Sequence, residues 1–146
     1  MKPNEGRLQT GEHILAKIIE DKIIDVKTGV CKFEEDFGLV EFTTKQDLRK
    51  IDQNELQNEV NRIIQRNLPV HKYIKNRNEA EKLVDLGKVP SFVQEIRIVN
   101  IEGFDKRPCK DPHVNNTNQI GNFIILKIKR VGNNRYRFTF KVASKT

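Results

Sequence analysis

The chain has 146 residues, of which 36% are hydrophobic and 32% charged, and its formal net charge is +7. That length suits one domain with one core, and the composition is typical of a soluble globular protein. The sequence contains no apolar run near the ~18–20 residues of a membrane span and no signal-peptide pattern. We therefore expect a cytoplasmic protein with no membrane partner.

Positive charge is concentrated towards the carboxyl end of the chain. Residues 97–146 hold eleven Lys and Arg against three Asp and Glu, a balance of +8, whereas the first 96 residues balance at −1. This asymmetry favours a polyanionic partner, with nucleic acid as the first candidate, although a solvated basic face is the alternative. The two cysteines, Cys31 and Cys109, are predicted to be free thiols because intracellular chains seldom form disulfides.

The first half of the chain predicts a helix, a hairpin and a second helix. Thr10 is the predicted N-cap of a helix that ends near Lys22 and carries apolar residues on one face. Residues 23–33 and 39–43 look extended on either side of a turn, which predicts a hairpin. Asp52 is then predicted to cap a second helix, with Glu55 in the capping-box position.

The second half of the chain predicts strands on either side of a long loop. The predicted elements are a strand at residues 70–74, a helix at 78–86 closed by Gly87, a strand at 93–101, and strands at 120–130 and 135–142. Residues 102–119 predict an irregular loop, and a loop of that length in a compact domain is often functional. The order of elements predicts an α+β fold in which helices pack on a mostly antiparallel sheet.

The long loop carries a possible metal-binding pair. Cys109 and His113 form a Cys-x3-His pair, and thiolate and imidazole are both zinc ligands. The chain has two other histidines. His13 is expected in the first turn of the first helix, and His71 is expected on the surface of a short strand. His13 would supply a third ligand, but a lone histidine on an apolar face is more often a core residue.

Two segments together carry a family resemblance. QTGEHIL at residues 9–15 and RPCKDPHVNNTNQIGNFIILK at residues 107–127 resemble the two zinc motifs of the alanyl-tRNA synthetase editing domain. That domain also occurs as free-standing AlaX proteins, in which H-[ST]-x-x-H is followed far downstream by C-x-x-x-H and then [EQ]-I-G. The resemblance implies a single editing domain over residues 1–146, with a fold like the editing domain of threonyl- and alanyl-tRNA synthetases.

The resemblance also implies a ligand set for Zn²⁺. His13, Cys109 and His113 match the family's ligands, but Gln9 stands where the family has its first histidine. Either the Gln9 amide oxygen or a water would then be the fourth ligand, and three protein ligands plus a water is the arrangement of catalytic zinc sites.

The activity implied by the resemblance is hydrolysis of mischarged tRNA(Ala), chiefly Ser-tRNA(Ala) and also Gly-tRNA(Ala), without ATP. Thr28 would read the serine hydroxyl, against its interpretation as an ordinary strand threonine, and Thr10 would be a second substrate-binding residue. Glu12 and Thr28 would be the catalytic residues, with Glu12 as the general base. The alternative for Glu12 is that the helix dipole favours a glutamate in a first turn. Cys109 as a nucleophile is less favoured than Cys109 as a ligand.

The predicted final strands supply the residues expected to bind tRNA. These strands would follow the phosphates of the acceptor stem without reading its sequence. The predicted tRNA-binding residues are Lys127, Lys129, Arg130, Arg135 and Arg137, with Lys141 beside them. Two alternatives stay open: a zinc-containing tRNA-binding module without deacylase activity, and a partner subunit of an aminoacyl-tRNA synthetase. A homo-oligomer is left open as well.

Overall fold

The computed structural model describes residues 4–144, which form three helices and two antiparallel sheets. The helices are α1 (Glu5–Lys22), α2 (Gln53–Gln65) and α3 (Arg77–Glu81). The strands are β1 (Lys27–Phe33), β2 (Phe37–Thr43), β3 (Val70–Asn76), β4 (Glu95–Ile101), β5 (Asp105–Pro108), β6 (Asn122–Gly132) and β7 (Arg135–Ala143). The predicted α+β class is confirmed, and its antiparallel strands are divided between two sheets.

The larger sheet has the strand order β1-β2-β7-β6, so β2 pairs with β7 and joins the two ends of the chain. Residues alternate along β7, and its inward side chains, Phe138 and Phe140, are fully buried. They pack with Phe42 of β2 and Phe123 of β6 against the helices. The smaller sheet has the order β3-β4-β5 and contributes Val99 to the same core.

Helix α1 runs through the middle of the fold and is buried on all sides between residues 8 and 16. Gly11 allows the helix to approach the sheet, because a Cβ at that position would lie 2.9 Å from the ring of Phe123. Four polar residues of this buried segment, Gln9, Thr10, Glu12 and His13, are at most 5% exposed. Buried polar groups need partners, so these four side chains are candidates for a functional site. No helix within residues 4–144 is long and apolar enough to cross a membrane.

Helix α2 covers the free edge of β6 with amide side chains. Asn61 accepts from the backbone N–H of Phe123 and donates to its carbonyl, both at 2.9 Å. Gln57 accepts from the N–H of Ile125 at 2.9 Å, and Gln53 donates to the Ile125 carbonyl at 2.8 Å. The spacing of four residues places the three amides on one face of the helix. They satisfy backbone groups that an exposed edge strand would offer to another chain.

The predicted beginning of the first helix is wrong. Helix α1 begins at Glu5, with Asn4 in a left-handed conformation at the N-cap, so Thr10 lies inside the helix rather than at its cap. Glu12 and His13 are accordingly in the middle of α1 and not in its first turn. The helix-dipole interpretation of Glu12 fails with this correction, because the dipole acts within the first turn. The predicted end at Lys22 and the Asp52 cap of α2 are confirmed.

The second half of the chain also differs from the prediction in its details. Helix α3 has five residues, and Gly87 lies beyond its end without the positive φ of a helix-closing glycine. The predicted loop at residues 102–119 contains β5, which pairs with β4, and the beginning of a 3₁₀ turn at Thr117–Ile120. The strand predicted from residue 120 therefore begins at Asn122.

Candidate metal centre

His13, Cys109 and His113 lie together although 96 residues separate the first two in the sequence. One ligand atom from each falls within 4.8 Å of the ligand atoms of the other two. The Nε2 of His113 is 3.4 Å from the Sγ of Cys109, and the two imidazole rings meet edge to face with centroids 4.4 Å apart. The sequence-based grouping of these residues is matched by their geometry.

Thr10 fixes the orientation of the His113 ring. Its Oγ1 lies 2.8 Å from His113 Nδ1 and accepts from the backbone N–H of Val114 at 3.2 Å. A metal bound at Nε2 needs a lone pair there, so Nδ1 would carry the proton and donate it to Thr10. The fully buried Thr10 hydroxyl thus has two protein partners, and the structure places it behind a ligand rather than at the wall of the cleft.

The loop that carries Cys109 and His113 is held by contacts that do not involve these two side chains. Arg97 of β4 donates to the carbonyls of Cys109 and Asp111, both at 2.9 Å, and its own carbonyl accepts from the Cys109 N–H at 3.0 Å. Further along, the Gln119 side chain accepts from the N–H groups of Asn115 and Asn116. These bonds satisfy backbone groups that a loop leaves unpaired.

Gly121 ends this segment with a φ of 79°, a backbone conformation that residues with a side chain rarely adopt. A Cβ at Gly121 would also overlap the carbonyl oxygen of Ala143 and approach the Arg7 guanidinium. In this chain Gln119 and Gly121 of the Gln-Ile-Gly motif therefore shape the loop and touch no ligand group.

Burial sets the protonation of the three candidate ligands in the absence of an ion. It lowers the pKa of His13 well below its ordinary value, and the neighbouring His113 lowers it further. Burial, with the charges of Arg97 and Lys72, lowers the pKa of His113 to about 3. Both imidazoles are therefore neutral near pH 7, the form that binds metals. Burial raises the pKa of Cys109 to about 11, so its thiol must lose a proton when a metal binds.

The donor set fits a zinc ion. The Nδ1 of His13 is buried and has no hydrogen-bond partner within residues 4–144, which leaves an imidazole nitrogen to be satisfied. Tetrahedral zinc with bonds of 2.0–2.3 Å separates its ligand atoms by about 3.3–3.8 Å. The 3.4 Å between His113 Nε2 and Cys109 Sγ lies in that range. Neutral imidazole and cysteine thiolate are both ligand types that zinc binds.

Gln9 lies one turn before His13 on the same face of α1, as the spacing of four residues requires. Its side chain is 5% exposed and lines the same cleft as His13 and Cys109. Within the described part of the chain it makes no hydrogen bond. The position of Gln9 as a fourth ligand stays a prediction. His71 lies elsewhere, as predicted, because it is exposed on the edge strand β3 and pairs with Glu102 at 3.2 Å.

An open cleft of about 1300 Å³ lies beside the candidate ligands. Glu12 and Thr28, the two predicted catalytic residues, both line it. Burial raises the pKa of Glu12, whose Oε1 accepts from the Cys31 thiol at 2.8 Å. The Thr28 hydroxyl donates to Glu20 Oε2 at 2.6 Å. The cleft thus contains the predicted serine-reading threonine, but that threonine already has a carboxylate partner.

Several cleft residues were missed by the sequence-based analysis. Arg107 binds Glu20 and Asp105 through its guanidinium, and Lys88 donates to the Thr28 carbonyl. These residues come from four separate segments, and no local pattern links them. Cys31 was expected only as a free thiol, and the structure places it against Glu12.

The predicted tRNA-binding residues lie on strands β6 and β7. The register pairs Lys129 with Arg137, and both face away from the core, on the side of the sheet opposite α1. Arg137 binds Glu41 at 2.9 Å, and Arg135 lies 3.5 Å from the same carboxylate. Lys127 and Lys129 are exposed and form no ion pair within residues 4–144. The outward basic side chains of β6 and β7 and the candidate ligands are therefore on different sides of the larger sheet.

Comparisons with known proteins agree with the resemblance seen in the sequence motifs, and the matches cover most of the chain. The alanyl-tRNA editing protein AlaX-M of Methanosarcina acetivorans is 32% identical over 145 residues, covering 92% of this chain and 56% of the relative. AlaX-L of Pyrococcus horikoshii is 31% identical over 135 residues, covering 92% of this chain and 33% of the relative. The alanine–tRNA ligase of Methanopyrus kandleri is 37% identical over 91 residues, which is 10% of its length.

Residues 96–139 match the family model of the threonyl and alanyl tRNA synthetase second additional domain. The resemblance inferred from the zinc motifs is thereby confirmed. The matched segment includes Cys109 and His113, and α1 brings His13 to them from outside the matched residues. The chain spans about half, or less, of the length of the editing proteins that it resembles.

Proposed function

We propose that this protein hydrolyses tRNA(Ala) mischarged with serine, and also with glycine, at a zinc-dependent site. The observation that carries the proposal is the convergence of His13, Cys109 and His113 beside a cleft lined by Glu12 and Thr28. Relatives named as alanyl-tRNA editing proteins, which match 92% of the chain, support the same substrate class.

The chemical need for such an activity follows from the limits of binding. A pocket built for alanine rejects a substrate that differs by one small group by only about 1–3 kcal/mol, so a second hydrolytic site is needed. A site that hydrogen-bonds the serine hydroxyl rejects alanine more strongly, because alanine leaves the polar partner unpaired. Thr28 is the candidate reader: its hydroxyl lies in the cleft and already binds Glu20. The serine hydroxyl of the substrate would form a hydrogen bond with the Thr28 hydroxyl or with the Glu20 carboxylate.

The remaining residues would hold and orient the site. His13, Cys109 and His113 would hold the zinc ion, with Gln9 or a water as the fourth ligand. A zinc ion in such a site polarises a carbonyl or lowers the pKa of a bound water towards about 7. Thr10 would keep His113 in the tautomer that binds through Nε2. We place Thr10 in this positioning role, in preference to the substrate contact that the resemblance implies. Glu12, buried beside His13, is the only predicted general base.

The basic strands would serve as a surface for the acceptor stem. The outward face of β6 and β7 presents Lys127 and Lys129, which have no acidic partner among residues 4–144, whereas Arg135 and Arg137 share Glu41. Contacts between lysines and phosphates give affinity that depends on salt and not on sequence. Arg130 lies at the end of β6 and binds the Gly132 carbonyl at 3.2 Å. We assign the main phosphate contacts to the two lysines.

The proposal is tested by deacylation of Ser-tRNA(Ala), Gly-tRNA(Ala) and Ala-tRNA(Ala), with zinc measured in the same preparation. The wild-type protein should contain about one zinc per chain and should hydrolyse the two mischarged substrates but not Ala-tRNA(Ala). His113→Ala should lower both zinc content and activity. His71→Ala is the matched control, since His71 is an exposed histidine outside the site, and it should change neither.

Three other results would overturn the proposal in different ways. If the protein binds zinc and tRNA but hydrolyses nothing, it is a tRNA-binding module without deacylase activity. The presence of Gln9 in place of the first histidine of the motif is the reason for considering this alternative. Activity that appears only when alanyl-tRNA synthetase is added would establish the partner subunit. Activity unaffected by His113→Ala would refute the assignment of the zinc ligands.

A further inference from the structure

Glu12 has one carboxylate oxygen that nothing in the described part of the chain binds. The side chain is 5% exposed, and its Oε1 accepts from the Cys31 thiol at 2.8 Å. Its Oε2 is buried and has no hydrogen-bond partner among residues 4–144. A buried carboxylate oxygen without a donor is costly, and in native proteins such an atom usually has a functional explanation.

The side chain that carries this oxygen lines the cleft of the candidate metal centre. Glu12 and Cys31 line the cleft together with Cys109. Glu12 directly precedes His13 in the middle of α1, so the carboxylate and the candidate ligand leave the same helical turn in different directions. A group held by Glu12 would therefore lie in the cleft beside the zinc ligands.

The lining of the whole cleft holds seven Asp and Glu and eight Lys and Arg, but carboxylates outnumber cations next to Glu12. Glu12, Glu20 and Asp105 lie there with only Arg107 and Lys88, so an ionised Glu12 leaves one negative charge unbalanced. Four N–H donors of Arg107 bind Glu20 and Asp105, and Arg107 makes no hydrogen bond to Glu12 within residues 4–144. Lys88 donates to the Thr28 carbonyl. The acceptor that remains is suited to a cationic group from outside the chain.

An aminoacyl-tRNA brings one such cation to the site, since its bases and sugars are neutral and its phosphates are anionic. We propose that Glu12 binds the α-ammonium group of the aminoacyl ester through Oε2. This inference rests on the proposed function and gives Glu12 a substrate-binding role in place of the general-base role predicted from the sequence. It predicts that the protein acts on free aminoacyl esters and discriminates against N-blocked ones.

The test compares Ser-tRNA(Ala) with N-acetyl-Ser-tRNA(Ala) in the wild-type protein and in Glu12→Gln. The substitution keeps the shape of the side chain and an oxygen for the Cys31 thiol but removes the charge. Wild type should prefer the free amine in kcat/KM by about 10- to 100-fold, the usual effect of a hydrogen bond to a charged group. Glu12→Gln should lose that preference through slower hydrolysis of Ser-tRNA(Ala) alone. Glu81→Gln, on α3 outside the cleft, is the matched control and should keep it.

Three measurements separate the proposal from its rivals. An equal loss on both substrates would make Glu12 a general base and overturn the inference. Loss of zinc from Glu12→Gln would also overturn it, by assigning Glu12 to the metal. Binding of a non-hydrolysable 3′-seryl-amide tRNA, with and without N-acetylation, tests the ammonium contact separately from catalysis. If wild type binds the free amine more tightly but hydrolyses nothing, the proposed function fails and the ammonium contact stands.

Discussion

Thr10→Val isolates the support that one buried hydroxyl gives to the candidate metal centre. Valine has the same shape as threonine, so the fully buried position stays filled. The change removes the 2.8 Å contact with His113 Nδ1 and the 3.2 Å acceptor of the Val114 N–H. At about 0.5–1.5 kcal/mol for each hydrogen bond, the free energy of unfolding should fall by about 1–3 kcal/mol. Loss of a group that orients a metal-binding histidine should also weaken zinc binding by about 10- to 100-fold.

Zinc affinity would be measured by competition with a chromophoric chelator, and stability by urea unfolding of the metal-free protein. Thr10→Ser keeps the hydroxyl and should recover most of the zinc affinity. Thr43→Val places the same change at an exposed position on β2 and should affect neither quantity. If Thr10→Val is destabilised but binds zinc as tightly as wild type, Thr10 only supports the fold and the orientation argument is wrong.

Three further predictions concern pH, the loop glycine and the basic strands. The pKa of His113 is about 3 in the folded protein and 6.5 for the ordinary group, so between these pH values the unfolded chain binds a proton more readily than the folded one. The free energy of unfolding of the metal-free protein, measured with urea, should therefore fall as the pH drops below about 6.5. His113→Gln should lessen that fall by about 1.4 kcal/mol per pH unit. Gly121→Ala should lower the urea-unfolding free energy by at least about 1–3 kcal/mol, because its φ of 79° and the Ala143 carbonyl exclude a side chain; Gly87→Ala, which meets only the flexible Asp85 carboxylate, should have little effect, and equal losses would contradict the argument. The double change Lys127→Gln and Lys129→Gln should reduce the slope of log affinity for tRNA against log salt by about 2 units, whereas the same change at exposed Lys45 and Lys50 should not.

The grouping of His13, Cys109 and His113 could be predicted from the sequence because these residues belong to two spaced motifs, and spacing survives in the sequence alone. The beginning of α1 could not, because the apolar periodicity starts only at Ile14. The turns before it present Gln9 and Thr10 to a polar site, so they resemble a cap and a loop rather than a buried helix. A pattern of hydrophobicity cannot distinguish a polar face that lines a site from one that meets water.

Strand β5 was missed for a related reason. Its four residues, Asp105–Pro108, are mostly charged and end in proline, and they become a strand only through pairing with β4. Tertiary contacts override such weak local preferences. The partners of Glu12 were equally out of reach, since the charges around it come from separate segments that only the folded chain brings together.

The hydrogen bonds from Arg97 to the carbonyls of Cys109 and Asp111 have a consequence for how the protein would respond to a chelator. A zinc finger unfolds when its ion is removed, because the ion alone holds the ligands together. Here a guanidinium anchored in β4 preorganises the loop, and α1 is held by the core. Removing the ion should therefore leave a folded apoprotein, and the ion should exchange for Co²⁺ in a local step. Its absorption spectrum would then report on the coordination sphere, including whether Gln9 belongs to it.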